Sequence, residues 1–395
     1  MFPNKSVSVF LMIVIILALP VVVSAQSGTV PSGGQLNPID LSVAPTLFDR
    51  AVNASTQGNF DQAILDISLF IMLNPTVPEA YIQRGTIYQM NNNTEAALDD
   101  YRQAVTLIDD PSTASILQTE IARIQAVNGD FETAFETLEA SIEMFPDNPD
   151  THLLLARMYQ DSQQFPEAIE AYNEVIRLLP NAAQPYLERG IVEQIIGDSE
   201  NAFDDFSMAI ELDPTLMEAY FRRAIVYYSE NNFNPSVDNL NLALDDLNTA
   251  IDLAPDFPQL YVLRGTIYGQ LDNPVSAATD YYQWINIIEE RRIESESLDT
   301  NQSISLQMQG GVVYQIPFEA RAGQSINVQA TSTETSPILV ILDAQGKPLV
   351  GDNDTAATGS AMIQGYRLPE SGTYTIVVSH SAFGPTDGMI VVSLE

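Results

Sequence analysis

A spacing constrains this chain more than any other feature. Between about residues 44 and 290, Pro75, Pro146, Pro180, Pro214 and Pro255 close successive stretches, and Pro146, Pro180 and Pro214 stand 34 residues apart. A small residue lies 24 positions before each of the first four, at Ala51, Ala122, Ala156 and Gly190. A second Ala lies 12 positions before all five, at Ala63, Ala134, Ala168, Ala202 and Ala243. Such a period describes a supersecondary unit too short to bury its own apolar stripe, stacked on copies of itself. Small residues at fixed places let two helices approach closely, and Tyr, Phe and Leu fill the space beside them. Each Pro stops the second helix of its pair, because it lacks an N–H and disfavours helical backbone in the residue before it.

The residues at the other fixed places carry a resemblance. Tyr81, Gly85, Tyr88, Ala97, Tyr101 and Ala104 mark one unit; Tyr186, Gly190, Ala202, Phe206, Ala209 and Pro214 mark another; Tyr261, Gly265, Tyr268, Ala277 and Tyr281 mark the last. This set resembles the tetratricopeptide repeat. Seven units are expected, starting near 44, 78, 115, 149, 183, 217 and 258, with extra residues around Asp109-Asp110-Pro111. An insertion near Asn231 to Asn241 places Ala243 seven residues later than the period predicts.

The resemblance implies a right-handed α-superhelix whose first helices line a concave groove. Carried over residue by residue, the groove holds Ile82, Thr86 and Gln89 in the second unit, and Leu153, Arg157 and Gln160 in the fourth. It continues through Leu187, Ile191 and Gln194, then Phe221, Ile225 and Tyr228, then Val262 and Thr266. Leu187 and Phe221 have an alternative reading, packing between hairpins. Five Arg stand immediately before the small residue, at Arg50, Arg84, Arg189, Arg223 and Arg264. Such a row either clamps a carboxylate-bearing peptide or lies along the hairpin seam, its stems packed and its heads paired with acids. The charged segment from Ile285 to Leu298 reads as a solvating end to the stack.

Around Asp299 to Ser303 the hydrophobic period changes from 3.6 to 2. Strand signals run through 303–307, 312–318, 325–331, 338–342, 361–367, 373–379 and 389–394, separated by turn residues. Short strands at this density predict an all-β sandwich over 299–395, folding independently of the α-solenoid at 44–298. Tyr314 and Phe318 before Ala322-Gly323-Gln324, then 337–343 with Gly346, Asp352-Asn353-Asp354, Leu368 and 371–376, resemble the bacterial pre-peptidase C-terminal domain. That resemblance implies an exported accessory module. Here no peptidase precedes it. Asp343, Asp352 and Asp354 offer hard oxygen ligands for calcium, although Asp-Asn-Asp is also ordinary turn chemistry. No other cofactor is expected.

Residues 1–25 read as a signal peptide: Lys5 in the n-region, an apolar run from Val9 to Leu19, Pro20, and the small-residue pattern Val23-Ser24-Ala25 before Gln26. The alternative is an uncleaved anchor. Residues 26–43 are rich in Gly, Ser and Pro and read as a flexible linker. The chain is thus expected outside the cytoplasm, with no membrane insertion after cleavage. Its 52 acids against 16 bases give a net charge of −36, which repels phosphate backbones and argues against nucleic acid. Without Cys there are no disulfides, thiolate metal sites or thiol nucleophiles. The two His do not make a metal site; His152 occupies the place of Tyr186, Tyr220 and Tyr261 and is expected to pack. No nucleophile elbow, metalloprotease helix, P-loop or dinucleotide fingerprint occurs, so no enzyme is expected. The expected function is an exported interaction scaffold holding a peptide or protein in the groove. The alternative is a module binding polysaccharide or a surface protein through the sandwich, with the repeats as spacer.

Overall fold

The structure, a computed structural model, describes residues 44–233, 236–288, 291–353, 359–380 and 387–395. The expected signal peptide, the linker up to residue 43 and Asp354 lie outside the described residues. The described residues form fourteen helices followed by nine strands. In sequence the helices come in pairs: α1 (Ala44–Thr56) and α2 (Phe60–Leu73); α3 (Pro78–Met90) and α4 (Thr94–Leu107); α5 (Pro111–Val127) and α6 (Phe131–Met144). Then follow α7 (Pro149–Asp161) and α8 (Phe165–Leu178); α9 (Ala183–Ile196) and α10 (Ser199–Leu212); α11 (Met217–Phe233) and α12 (Val237–Leu253); α13 (Pro258–Gln270) and α14 (Pro274–Ile288). No helix among the described residues is long and apolar enough to cross a membrane. The chain divides into two compact units, one ending at Met158 and the other beginning at Tyr159.

In the first unit the small phase markers lie at helix contacts: Ala51, Ala63, Ala97 and Ala134 are fully buried. The extra residues near 109–111 lengthen α5 to 17 residues and move the start of the third hairpin from 115 to Pro111. The reason is local. Asp110 caps the helix by accepting from the backbone N–H of Thr113 at 2.9 Å, and Pro111 follows at a position that needs no N–H. Hydrogen bonds from Thr113 and Ser112 hold the Asp110 carboxyl at about 2.

In the second unit, the insertion of the sixth hairpin becomes helix. α11 and α12 each run 17 residues, where α9 and α10 run 14. Gly197 ends α9 at φ +85°, and the next N–H, that of Asp198, reaches back to the Glu193 carbonyl at 2.9 Å. This closure satisfies the last carbonyls in a backbone shape that Gly adopts at little cost.

The strands are β1 (Arg291–Glu294), β2 (Gln302–Met308), β3 (Val312–Ala320), β4 (Ser325–Thr331), β5 (Pro337–Leu342), β6 (Pro348–Asn353), β7 (Ser360–Arg367), β8 (Gly372–His380) and β9 (Gly388–Leu394). One sheet has the order β1-β3-β8-β5-β6 and the other β2-β9-β4-β7. Only β1–β3 is parallel among these pairs. The inward positions of both sheets, such as Leu306, Phe318, Val328, Ile341, Ile376 and Val392, form one apolar core, so the region is a sandwich. The four-stranded sheet alternates cleanly between buried and outward residues. Its outward residues on β2, β9, β4 and β7 are Ser, Thr, Asn, Gln, Met and Val, until Arg367 at one corner beyond a bulge.

The five-stranded sheet is buried on its second face as well. Val313, Ile338, Val340, Leu342 and Val377 pack there against Val262, Ala278, Tyr281, Trp284 and Ile285 of the last hairpin. Every residue of β5, PILVIL, is buried, as expected of a strand covered on both sides. Gly351 permits the contact: a Cβ there would fall 2.9 Å from the Leu339 carbonyl oxygen and 3.2 Å from the Ala278 Cα. One sequence expectation is corrected by this. The segment 285–298 is not simply a solvating end: among its described residues Ile285 and Leu298 are buried and Arg291–Glu294 form an edge strand. The sandwich and the last hairpin share a core.

Candidate functional site

The five Arg lie on the seam. Arg50 pairs with Asp66 at 3.0 Å. Arg84 donates through Nε and Nη2 to both oxygens of Asp100, at 2.7 and 2.6 Å. Arg189 repeats this fork on Asp205, Arg223 on Asp246 and Arg264 on Asp280, all between 2.6 and 2.8 Å. The third arm, Nη1, reaches the preceding hairpin: Arg84 to Ser68, Arg189 to Asn173, Arg223 to Ser207 and Arg264 to Asn248. Each guanidinium therefore ties its own two helices to the second helix before it. The hydrogen bonds to Asp raise the pKa of Arg84, Arg189 and Arg223. These Arg are spent on the scaffold and do not clamp a peptide carboxylate. His152 behaves as its place implies. Its Nε2 lies 2.8 Å from the Pro146 carbonyl, where Tyr81, Tyr186 and Tyr261 donate to the carbonyls of Pro75, Pro180 and Pro255.

Eight of the predicted groove residues separate into three groups. Leu187 is 1% exposed and belongs to the core with Ala202 and Phe206, which corrects its assignment as a groove anchor. Val262 and Thr266 are covered by the sandwich: Val262 is buried, and Thr266 Oγ1 accepts from Asn353 Nδ2 at 3.1 Å. Ile191, Gln194, Phe221, Ile225 and Tyr228 are half-buried on the first helices α9 and α11. Phe221 meets Phe257 edge-on, with ring centroids 5.9 Å apart, and Tyr228 Oη accepts from Gln270 Nε2 at 3.3 Å. Gln194 Oε1 accepts from Arg222 at 3.4 Å.

Sequence reasoning missed how the amides are held. In the second hairpin Tyr101 donates to Gln89 Oε1 at 2.7 Å, and in the second unit Tyr172 donates to Gln160 Oε1 at 2.9 Å. The signal was available as a Tyr 12 residues after the Gln. At the corresponding place after Gln194 stands Phe206, which has no hydroxyl. Arg157 is exposed near the end of the first unit. The half-buried predicted residues of α9 and α11 are thus Ile191, Gln194, Phe221, Ile225 and Tyr228.

Among the described residues, the calcium candidates Asp343 and Asp352 stand apart. Asp343 Oδ1 accepts from the backbone N–H groups of Gln345 and Lys347, each at 2.9 Å, and shapes the β5–β6 turn. Asp352 pairs with Leu339, four residues up the same hairpin, roughly 13 Å away at the rise of a strand. Its Oδ2 accepts from the Met362 N–H at 2.6 Å. Asp354 lies outside the described residues.

Residues 78–111 and 128–187 match two tetratricopeptide-repeat profiles. These stretches are similar to tetratricopeptide repeats, and the helical part has the fold of a tetratricopeptide-repeat-like solenoid. The human mitochondrial import receptor subunit TOM70 is 24% identical over 212 residues, covering 52% of this chain and 34% of its own length. The Hsp70-Hsp90 organizing protein of Triticum aestivum is 24% identical over 207 residues, 49% of this chain and 33% of its own. The chain spans about a third of the length of these curated relatives. Among solved structures, the C-terminal part of a tetratricopeptide repeat-containing protein from Cytophaga hutchinsonii aligns with a TM-score of 0.51 at 16% identity. It covers 61% of this chain and 95% of that one, a likeness of fold. Tetratricopeptide repeats mediate protein–protein interaction, and no enzymatic family is indicated by these matches.

Proposed function

We propose that this chain is an exported, non-catalytic scaffold that holds an extended or helical segment of a protein partner along α9 and α11. The supporting observation is the set Ile191, Phe221, Ile225 and Tyr228, half-buried on the first helices of adjacent hairpins. Side chains of this kind supply burial when a partner covers them, and Gln194 can pair its backbone. The sandwich, in this reading a module similar to pre-peptidase C-terminal domains, closes the last hairpin and binds no peptide itself. Export rests on the n-region, apolar run and Val-Ser-Ala pattern. N-terminal sequencing of exported protein should start at Gln26, and a start at Met1 would show a retained anchor.

Buried aromatics commonly dominate interface energy, so Phe221→Ala with Tyr228→Ala should weaken capture by about 2 kcal/mol or more. The partner is recovered from the cell-envelope fraction with the mature chain as bait, and its affinity is measured by calorimetry. Because Phe221 also touches Phe257, urea unfolding of the variant is followed in parallel. A folded double variant that captures the partner at full strength overturns the groove.

A further inference from the structure

Gln89, Gln160 and Gln194 each stand four residues after a small phase marker, Gly85, Ala156 or Gly190. In each, the scaffold occupies the amide oxygen. Tyr101 donates to Gln89 Oε1 at 2.7 Å in the first unit. In the second unit Tyr172 donates to Gln160 Oε1 at 2.9 Å, its proton shared with Glu188 Oε2 at the longer distance of 3.1 Å. Gln194 Oε1 accepts from Arg222, and a guanidinium has donors only, so chemistry fixes the orientation of this amide. All three side chains are half-buried, and no Nε2 among them has a hydrogen-bond partner within the described residues.

In the second unit these amides run beside an apolar row. Ile191 and Ile225 share one repeat place, and Gln160 and Gln194 share another, three residues further along the helix. Charged groups on α9 and α11 are paired: Arg222 with Glu218 at 3.1 Å, while Glu188 Oε1 accepts from Gln184 Nε2 at 2.9 Å. What the row offers a partner is therefore apolar surface and the positive ends of amide dipoles.

We propose that the segment held along α9 and α11 is extended, with its backbone carbonyls received by Nε2 of Gln194 and Gln160. This rests on the groove proposed above and names the conformation it selects. Charge complementarity carries it. An N–H calls for an acceptor, and the net charge of −36 opposes a carboxylate in that place, which leaves the neutral carbonyl. Inside a helix each carbonyl is already taken by the N–H four residues on. In an extended chain no such internal bond competes for it, and successive side chains point to opposite sides. Such a segment sets apolar side chains on Ile191, Phe221 and Ile225 while its carbonyls face the amides. Gln194 is thus a specificity-determining residue for extended over helical backbone.

The probe is a phage-displayed library of random peptides about 12 residues long, panned on the purified full chain and counter-selected on Phe221→Ala with Tyr228→Ala. Selected peptides are synthesised and their affinities read by fluorescence anisotropy. Gln194→Glu keeps the bond from Arg222 and sets a carboxylate against the carbonyl. It should weaken binding about tenfold or more and leave the urea unfolding curve unchanged. Gln194→Met removes the N–H without adding charge and should weaken binding by about three- to tenfold. Pro placed between the anchor residues of the peptide needs no change to the protein. It keeps every carbonyl and forbids an interior helical turn, so affinity should stay within about threefold, where a helical peptide would lose roughly a hundredfold. Full-strength binding by Gln194→Glu, or loss of binding on Pro substitution, in a peptide that still depends on Phe221 and Tyr228, overturns the extended backbone and leaves the groove standing. A panning that yields no peptide dependent on Phe221 and Tyr228 removes the groove, and this inference with it.

Discussion

Glu193 stands where Tyr88, Tyr227 and Tyr268 stand in other hairpins, three residues after the small phase marker. It is 6% exposed, its Oε2 has no hydrogen-bond partner, and Arg189, 3.9 Å away, is already committed to Asp205. Burial, then repulsion from Asp205, raises its carboxyl to about 7. The direction of the pH effect follows. Between the ordinary carboxylate value and about 7 the native state holds a proton that the unfolded chain has released, so stability falls as pH rises through that window. Glu193→Gln removes the titration and keeps the shape. It should raise the melting temperature at pH 8, change it little at pH 5, and flatten the profile between them; equal shifts at both values would exclude the mechanism. The seam was more legible than this site. An Asp follows the seam Arg by 16 residues in four hairpins, and by 23 in the sixth, where the insertion adds seven. Leu187 was not legible, because the same helical period serves the groove and the core, and only the neighbouring helix decides which way a side chain is taken.

At the scale of elements, the join between α14 and the five-stranded sheet decides how the chain comes apart. Trp284, the only Trp, is 1% exposed and meets the His380 ring edge-on at 5.6 Å. Trp284→Ala should cost about 3–5 kcal/mol, and the loss should appear in the sandwich as well as in the last hairpin. Hydrogen exchange of β5 and β8 is the measurement, and unchanged protection there would show that the sheet does not depend on the helix. Limited proteolysis should likewise give a stable C-terminal fragment that begins before Pro258. A fragment beginning near 299 would leave Val313, Ile338, Val340 and Val377 uncovered. Seven of the nine strands were readable from alternation and turns. β6 was missed because four of the six residues of its sequence, PLVGDN, are turn-forming. β1 was missed because RRIE has the composition of a solvated tail; its pairing with β3, and the clasp of Arg292 on Asn286 at 2.6 Å, exist only in the folded state. The continuous apolar run of β5 did carry the signal of two-sided burial, but periodicity does not say what lies on the second side.

On the scale of the whole molecule, the acids are unevenly shared. Residues 300–395 hold 8 acids and 3 bases out of totals of 52 and 16. The repeats therefore carry most of the field, and the sandwich little of it. If the groove partner is neutral or basic, as this field favours, rising salt should slow association and leave dissociation nearly unchanged, because long-range attraction acts on the encounter. Stopped-flow rates at low and physiological ionic strength would show it, and a dissociation rate that carries the salt dependence would locate the charges inside the interface instead. The shared core also has a consequence in time. Trp284 and Ile285 share a cluster with Val313, Ile338, Val340, Leu342 and Val377, the last of which is made about 90 residues later. At 5–20 residues per second a ribosome needs roughly 5–20 s to reach them. Throughout that interval the earlier repeats can fold on their neighbours, while the cover over the last helix and its largest apolar side chain is incomplete. A chain stalled before β8 is therefore left with a sticky end, and the order of synthesis makes this helix the point most exposed to premature association.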